Sequence, residues 1–420
     1  MRILLTIVIL ILLGCTKTHL DLTDPALVFP DRKPTLEMEF TINVDTSFNT
    51  GITDLFVFGE IVLARSGKTL TAFSATTNTQ LWHTTLTAGG FGSQIQVLGD
   101  KIYCFDVNRD LLVIDFNSGQ LLEERSLTRE ENNQMSWITY KDGYLYFIDY
   151  QHTVNNSYKN LVFCKYGLED SVKEEFLRID SVYAVSPSCK NLACPMILDS
   201  RSEKIYFSTE FCNHVELTGG KYMYDWKKDS LFKLSSSVHQ ATFQFENFTL
   251  FDDKFLIFNE TDNKTVGLDL ETNNYLWRKG QGGGNSSSVF PSYFGTYVFN
   301  QKVYSWDMVR DELHLVDHLS GNPIWKQYII SQNFALAMVE NTPSAFFIST
   351  LTTGGKSVPV IRIIDMNSGK YLIEWGPYEL ENFDSYVRKN LFAVVYSPSD
   401  GSCYIASNKT IYKYKLPSLK

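Results

Sequence analysis

The sequence of 420 residues predicts an all-β protein made of one repeated unit. Short runs of alternating apolar and polar residues dominate the chain, and no stretch keeps a helical period. Aromatic residues make up 14% of the sequence, which is typical of strands that pack on both faces. Because the pattern recurs along the whole chain, we expect one repeat architecture rather than several different domains.

The repeated unit is a hairpin motif of the form Asp-x3-Gly/Asn-x3-Trp. An aspartate after a strand can accept hydrogen bonds from the amides of the following turn, and glycine or asparagine there tolerates a positive φ. The tryptophan begins the next strand, where its ring can cover the gap to a neighbouring unit. The predicted structural residues of the repeat are Trp82, Asp115, Gly119, Asp269, Trp277, Asp317, Gly321, Trp325, Asp365 and Gly369.

This motif resembles the repeat of the PQQ-like β-propeller superfamily. The resemblance covers roughly residues 36–420 and implies four-stranded blades, with strands A to D from the inside outwards, around a central channel. The superfamily includes quinone-dependent dehydrogenases. It also includes non-catalytic lipoproteins, such as the propeller subunit of the outer-membrane β-barrel assembly machine.

The anchors of the repeat predict eight blades. Ser74 and Asp115 mark two copies, and the long gap between Asp115 and Asp269 holds two weaker copies, one anchored at Asp225. A last copy near the C-terminus lacks its outermost strand, and the alternating segment Leu36–Val44 has no partner. We therefore expect the N-terminal strand to complete the last blade and to remove two sheet edges. Seven blades is the alternative if one weak copy is not a blade.

The N-terminus resembles a lipoprotein signal. Arg2 precedes the apolar run Ile3–Leu13, which is shorter than the ~20 residues of a membrane span. The run ends in Leu-Leu-Gly-Cys, which resembles a lipobox with Cys15 as the lipidated residue. Residues 1–14 are thus predicted to be a signal peptide, 15–35 the lipidated cysteine and tether, and 36–420 the propeller. An uncleaved anchor or an ordinary buried cysteine is the alternative.

These features predict an exported protein, attached by lipid such as palmitate to the cell envelope at the outer membrane, on a side that stays open. The net charge is −9 with no basic cluster, which makes nucleic acid an unsuitable partner. A disulfide between Cys189 and Cys194, in a Pro-flanked loop, is possible in this compartment. Cys104, Cys164 and Cys403 fall in strand patterns and are predicted to be core residues.

The two faces of the predicted ring differ in the length of their loops. Turns A–B and C–D are short, whereas the B–C loops and the connections between blades contain nearly all long segments, including Gln151–Lys159, Cys212–Gly220 and Thr352–Ser357. Loops on a rigid scaffold commonly bind ligands, so we expect binding on this face. Its candidate aromatic anchors are Phe91, Tyr158, Phe290, Tyr293, Trp375 and Tyr378.

No catalytic motif accompanies the repeat. The adjacent cysteines typical of quinone dehydrogenases are missing, and so are the nucleophile and phosphate-binding signatures. His152, Cys212, His214 and His239 share the long-loop face without ligand spacing, so neither a metal nor a cofactor is predicted. The sequence favours a non-catalytic, membrane-tethered propeller that binds an envelope protein or glycan. The alternative is an envelope enzyme, a quinone-dependent dehydrogenase or a hydrolase, with its site at the central channel.

Overall fold

The computed structural model shows an eight-bladed, all-β ring. It describes the chain in segments, which together cover the strands of every blade. These segments are residues 35–42, 51–87, 90–106, 110–127, 134–135, 139–152, 158–184, 196–199, 203–213, 218–235, 248–252, 254–260, 264–272, 274–279, 293–307, 312–328, 334–339, 342–353, 356–375, 391–407 and 409–416.

Each blade is an antiparallel sheet in which sequence neighbours pair. Blade 1 contains β2 (Asp54–Phe58), β3 (Ile61–Ser66), β4 (Thr69–Ser74) and β5 (Gln80–Thr85). Blade 2 contains β6 (Phe91–Leu98), β7 (Lys101–Asp106), β8 (Asp110–Asp115) and β9 (Leu121–Ser126). Blade 3 contains β10 (Gln134–Met135), β11 (Thr139–Lys141), β12 (Tyr144–His152), β13 (Tyr158–Gly167) and β14 (Lys173–Ala184). Blade 4 contains β15 (Met196–Asp199), β16 (Lys204–Asn213), β17 (Thr218–Asp225) and β18 (Ser230–Ser235).

The second half of the ring follows the same order. Blade 5 contains β19 (Phe248–Phe251), β20 (Phe255–Glu260), β21 (Lys264–Asp269) and β22 (Asn274–Lys279). Blade 6 contains β23 (Tyr293–Phe299), β24 (Lys302–Asp307), β25 (Glu312–Val316) and β26 (Pro323–Tyr328). Blade 7 contains β27 (Phe334–Val339), β28 (Ser344–Thr353), β29 (Lys356–Asp365) and β30 (Tyr371–Trp375). Blade 8 contains β31 (Leu391–Ser397), β32 (Ser402–Ser407), β33 (Thr410–Lys415) and β1 (Thr35–Thr41).

The N-terminal strand closes the ring, as the alternation of the sequence predicts. β1 pairs antiparallel with β33, with Thr35 opposite Lys415 and Thr41 opposite Thr410. The described strand begins at Thr35 and ends at Thr41, and residues 43–50 lie outside the described part. The eight-blade prediction is confirmed, and the seven-blade alternative is wrong because both weak copies form blades.

The hydrophobic core lies between the blades. Each of the eight junctions between neighbouring blades holds its own buried cluster. The middle strands are therefore buried on both faces, as in β4, where five of six positions are buried, whereas in the outer strand β5 one of six positions, Trp82, is buried. All eight junctions are packed because the ring is closed. An open ring would expose the apolar faces of its first and last blades to water.

The junction between blades 8 and 1 contains a buried lysine. Lys413, which is 3% exposed, donates to the carbonyl oxygen of Ala75 at 2.8 Å and to Oδ1 of Asn78 at 3.1 Å. Its ammonium group lies 2.9 Å from Oδ2 of Asp400, to which the Tyr404 hydroxyl also donates. Burial would raise the pKa of Asp400, but hydrogen bonds from Lys413, Ser397 and Tyr404 outweigh burial and lower it. The charge of Lys413 is thus paired where the two ends of the chain meet.

Replacing Lys413 by methionine should weaken the closure, since it leaves the partly buried Asp400 without its cation. We expect Lys413→Met to reduce the free energy of unfolding by about 3 kcal/mol, measured by chemical denaturation. The matched control is Lys254→Met, because Lys254 is exposed and lies 3.8 Å from Glu271. That change should cost less than about 1 kcal/mol. Equal losses in the two variants would contradict a special role for Lys413.

Candidate functional site

The aspartates of the repeat bind the turn between strands C and D. Oδ1 of Asp115 accepts hydrogen bonds from the backbone nitrogens of Asn117 at 3.1 Å and Ser118 at 2.7 Å. These bonds, and that from the Ser118 hydroxyl above all, lower the pKa of the Asp115 carboxyl. Comparable turn bonds are accepted by Asp225, Asp269, Asp317 and Asp365. In blade 1 the hydroxyl of Ser74 replaces the carboxylate and accepts from Thr77 at 3.1 Å.

The fourth residue after each anchor has a positive φ. Among the described turns this residue is Asn78 (59°), Gly119 (72°), Ser171 (60°), Asp229 (49°), Gly321 (67°) or Gly369 (74°). Glycine stands at three of these positions because a tryptophan of the preceding blade lies on it. A Cβ atom at Gly321 would come within 2.4 Å of Cδ2 of Trp277, and one at Gly369 within 2.6 Å of Cε3 of Trp325.

The tryptophans therefore join neighbouring blades. Trp82 of blade 1 lies against Gly119 of blade 2 and donates from Nε1 to the carbonyl oxygen of Phe116 at 3.0 Å. Trp277 makes the corresponding bond to His318 at 2.7 Å. At the next junction, the hydroxyl of Tyr304 donates instead to the equivalent carbonyl of Met366, and Nε1 of Trp325 has no hydrogen-bond partner in the described part of the chain.

Two glycines with the same φ separate the effect of the tryptophan from that of backbone strain. Gly321 and Gly401 both have φ +67°, but a Cβ atom at Gly401 would meet nothing within 4 Å. Gly401→Ala should therefore cost about 1–2 kcal/mol of backbone strain. Gly321→Ala should cost about 1–3 kcal/mol more, because Trp277 must move. Denaturation of the two variants measures this difference, and a loss that is no larger at Gly321 would refute the inter-blade contact.

Short turns lie on one side of the ring, which we call the trimmed face. It carries turns A–B and C–D, for example residues 59–60 and 75–79 of blade 1. The opposite side, the elaborated face, carries turns B–C and the connections between blades. The predicted differences in the length of the B–C segments on this face depend mainly on three hairpins.

In the three longest B–C segments, the described residues on either side of the tip belong to paired strands. The hairpin β12–β13 pairs from Tyr144 opposite Gly167 up to His152 opposite Lys159. The hairpin β28–β29 pairs up to Thr353 opposite Lys356. Most strands of the regular blades have six residues, whereas these strands have nine or ten. The expectation of long loops at Gln151–Lys159, Cys212–Gly220 and Thr352–Ser357 is therefore corrected for their described ends, where backbone pairing continues past the blade, and residues 153–157, 214–217 and 354–355 lie outside the described part.

Blades 3 and 4 are hydrogen-bonded to each other at the elaborated face. The end of β14 pairs with the end of β16, with Tyr183 opposite Asn213 and Ala184 opposite Cys212. The two blades thus form one nine-stranded sheet. Among the described residues, strand β15 pairs with Lys204–Phe207 of β16. The later residues of β16, at the elaborated face, can therefore pair with the neighbouring blade. The regular spacing of the repeat gives no signal for this contact.

One candidate aromatic anchor was placed wrongly by sequence reasoning. Phe91 is 4% exposed and packs in the cluster between blades 1 and 2. Arg65 donates to its carbonyl oxygen at 2.9 Å and pairs with Asp54. Tyr158 and Tyr293 begin β13 and β23, and Trp375 ends β30. Phe290 and Tyr378 lie outside the described residues.

Several other candidate residues also lie outside the described segments. They are Cys15, Cys189, Cys194, His214 and His239, so lipidation and the disulfide stay predictions. His152 ends β12, and Cys212 lies near the end of β16. Cys104, Cys164 and Cys403 are buried and form no disulfide within the described residues, and burial raises the pKa of the Cys104 thiol to about 12. Within the described segments, no group of three His, Cys, Asp or Glu residues could hold a metal ion.

Sequence reasoning also missed a buried ion pair. Asp149 is fully buried, and its Oδ2 lies 3.0 Å from Nζ of Lys173, which also donates to the carbonyl oxygen of Leu127 at 2.7 Å. Oδ1 of Asp149 has no hydrogen-bond partner among the described atoms. Like Lys413, Asp149 interrupts an otherwise apolar strand, and that interruption is the sequence signal that could have identified both residues.

The described residues contain no helix with the length and apolar character needed to cross a membrane.

Comparison with known proteins agrees with this architecture. A family model described as "Outer membrane protein assembly factor BamB" matches residues 42–159. The computationally designed Ika8 protein is similar with a TM-score of 0.53 and 10% identity, over 90% of this chain and 98% of that one. BamB from Moraxella catarrhalis covers 91% of this chain and 100% of its own, with 10% identity and a TM-score of 0.45. Among proteins with curated functions, none matches the sequence.

The chain is therefore an eight-bladed β-propeller, and its residues 42–159 match a family model of PQQ-like repeats. The family match covers blades 1 and 2 and the beginning of blade 3, which confirms the resemblance that the repeat motif carries. The likeness to the designed protein concerns the fold alone.

Proposed function

We propose that this protein is a non-catalytic propeller, attached to the cell envelope by lipid at Cys15, that binds an envelope protein or glycan through its elaborated face. One observation carries the proposal: in the described part of the chain, the strands are lengthened at the elaborated face. The enlargement consists of paired strands in blades 3, 4 and 7. Segments held by backbone hydrogen bonds lose little entropy on binding, which suits them to recognition.

The position of these hairpins around the ring favours a protein as the partner. In a ring of eight, blade 7 lies opposite blade 3, so the hairpins rise on two opposite sides of the central channel. With a rise of about 3.3 Å per residue, three or four additional residues extend each hairpin by about 10–13 Å. Two walls of this height would flank a polypeptide segment laid across the mouth of the channel.

The family match gives independent support for a role in the envelope. The matching family is described as an outer-membrane protein assembly factor, and the resemblance of residues 1–15 to a lipoprotein signal agrees with that location. A scaffold that holds another envelope protein during assembly is consistent with both. The side of the membrane on which the propeller lies does not alter this proposal.

Shortening one of the walls should abolish binding without unfolding the propeller. We expect the chain with residues 152–159 replaced by Asn-Gly, which joins Gln151 to the opposite Asn160 by a two-residue turn, to keep its thermal stability. After cross-linking of intact cells and purification from solubilised envelopes, the partner captured by the unaltered chain should be missing from this variant. The same replacement of residues 353–356 in blade 7 should weaken capture as well.

The matched control changes the trimmed face. Lys227 and Lys254 are exposed there, and the variant Lys227→Ala with Lys254→Ala should capture the partner as the unaltered chain does. Undiminished capture by both shortened chains would refute binding through the elaborated face. Binding of the unaltered chain to a glycan array, with loss in the shortened chains, would identify the partner as a glycan rather than a protein.

A further inference from the structure

The trimmed face carries exposed apolar side chains in six successive blades. Among the described residues, all the large apolar side chains that are clearly exposed, except Tyr328, lie within three residues of an A–B or C–D turn. They come from blades 1 to 6. These side chains form what we call the apolar rim: Leu81, Leu121, Leu122, Val172, Leu231, Phe232, Tyr275, Leu276, Val298, Leu319 and Ile324.

Most residues of the rim stand at the start of an outermost strand. Leu81, Leu276 and Ile324 each directly precede the tryptophan of their blade and point away from the junction that the tryptophan fills. Ile324 is 64% exposed and Leu81 48% exposed. Side chains of this size, exposed at the same edge of several adjacent blades, form a candidate surface for contact with another apolar phase.

The N-terminal segment approaches the propeller at the same face. Thr35 pairs with Lys415, which pairs in turn with Ser402 beside the A–B turn of blade 8. Residues 15–34 precede it, and a tether of that length, as the sequence predicts, would span about 25 Å. A lipid at Cys15 would therefore hold the trimmed face, rather than the elaborated face, close to the membrane.

The charges of this face do not favour a strongly anionic surface. Lys227 lies 3.9 Å from Glu203, and Lys254 lies 3.8 Å from Glu271, so these cations are already compensated by carboxylates. The protein as a whole has a net charge of −9. Attraction to a membrane would thus depend on the apolar side chains, and zwitterionic phospholipid is the surface that fits them.

We propose that the trimmed face rests on a zwitterionic phospholipid bilayer, with the apolar rim in the headgroup region and the elaborated face directed away from the membrane. This inference rests on the lipid anchor of the proposed function. Positions up to three residues from a turn lie within about 10 Å of the face, which matches the depth to which interfacial apolar residues enter a membrane. Docking of this kind would keep the binding walls accessible to a partner.

Quenching of a fluorescent probe by lipid tests the proposal. The full chain carrying Ile324→Cys is labelled with bimane and reconstituted into phosphatidylcholine vesicles that contain 5-doxyl-phosphatidylcholine. The control is Tyr328→Cys, at the other end of the same strand, where the side chain is also exposed. We expect quenching several-fold stronger at position 324 than at position 328, and the same strong quenching for Leu81→Cys and Leu276→Cys. The unsubstituted chain gives the background from native cysteines.

Two readouts keep the anchor and the docking distinguishable. The Cys15→Ala chain should leave the membrane fraction of cells, and an unaltered chain that is itself found in the soluble fraction would overturn the anchor and the docking together. A chain that is in the vesicles but shows equal quenching at positions 324 and 328 overturns the docking alone. Light scattering that shows dimers of the Cys15→Ala chain, abolished by Ile324→Glu, would assign the rim to a second copy and also overturn the proposal.

Discussion

The contact between a tryptophan of one blade and the turn of the next is the interaction on which this propeller depends. The turn must bring its backbone under an indole ring, which requires a residue without a side chain at a positive φ, as at Gly119, Gly321 and Gly369. The aspartate at the start of the turn fixes its amides in place. This contact joins blades 1 and 2, blades 5 and 6, and blades 6 and 7, where it fixes how the neighbouring blades pack.

Different residues join the neighbouring blades at the junction between blades 8 and 1, because the outermost strand of blade 8 comes from the N-terminus. Within the described residues no tryptophan contact is seen at Asn78, and asparagine with its side chain is accommodated at a φ of 59°. The carbonyl oxygen of Ala75, equivalent to that bound by an indole in other junctions, accepts from Lys413 and Tyr404. The ring is thus closed by polar contacts as well as by apolar packing. Because the ring is closed and rigid, it can carry the extended hairpins of the elaborated face and keep its own structure.

The repeat could be predicted from the sequence because each of its positions has a local cause. The turns, the eight blades and the closing strand follow from alternation and from residues such as Asp317 and Gly321. Contacts between blades have no such local cause, and this is why the pairing of Tyr183 with Asn213 and the burial of Phe91 were missed. The hairpin around His152 has strand-forming residues, but its length suggested a loop. Pairing beyond the blade depends on the partner strand, which a single-sequence pattern does not identify.

We thus propose a different neighbour for each face of the ring: a binding partner at the hairpins of the elaborated face, and the membrane at the turns of the trimmed face. The most direct test places a photo-cross-linking amino acid at Thr353, at the tip of the hairpin of blade 7, or at Leu319, in the C–D turn of blade 6, in living cells. The account predicts a discrete protein adduct from position 353 and none from position 319. A protein adduct from position 319, with none from position 353, would contradict it.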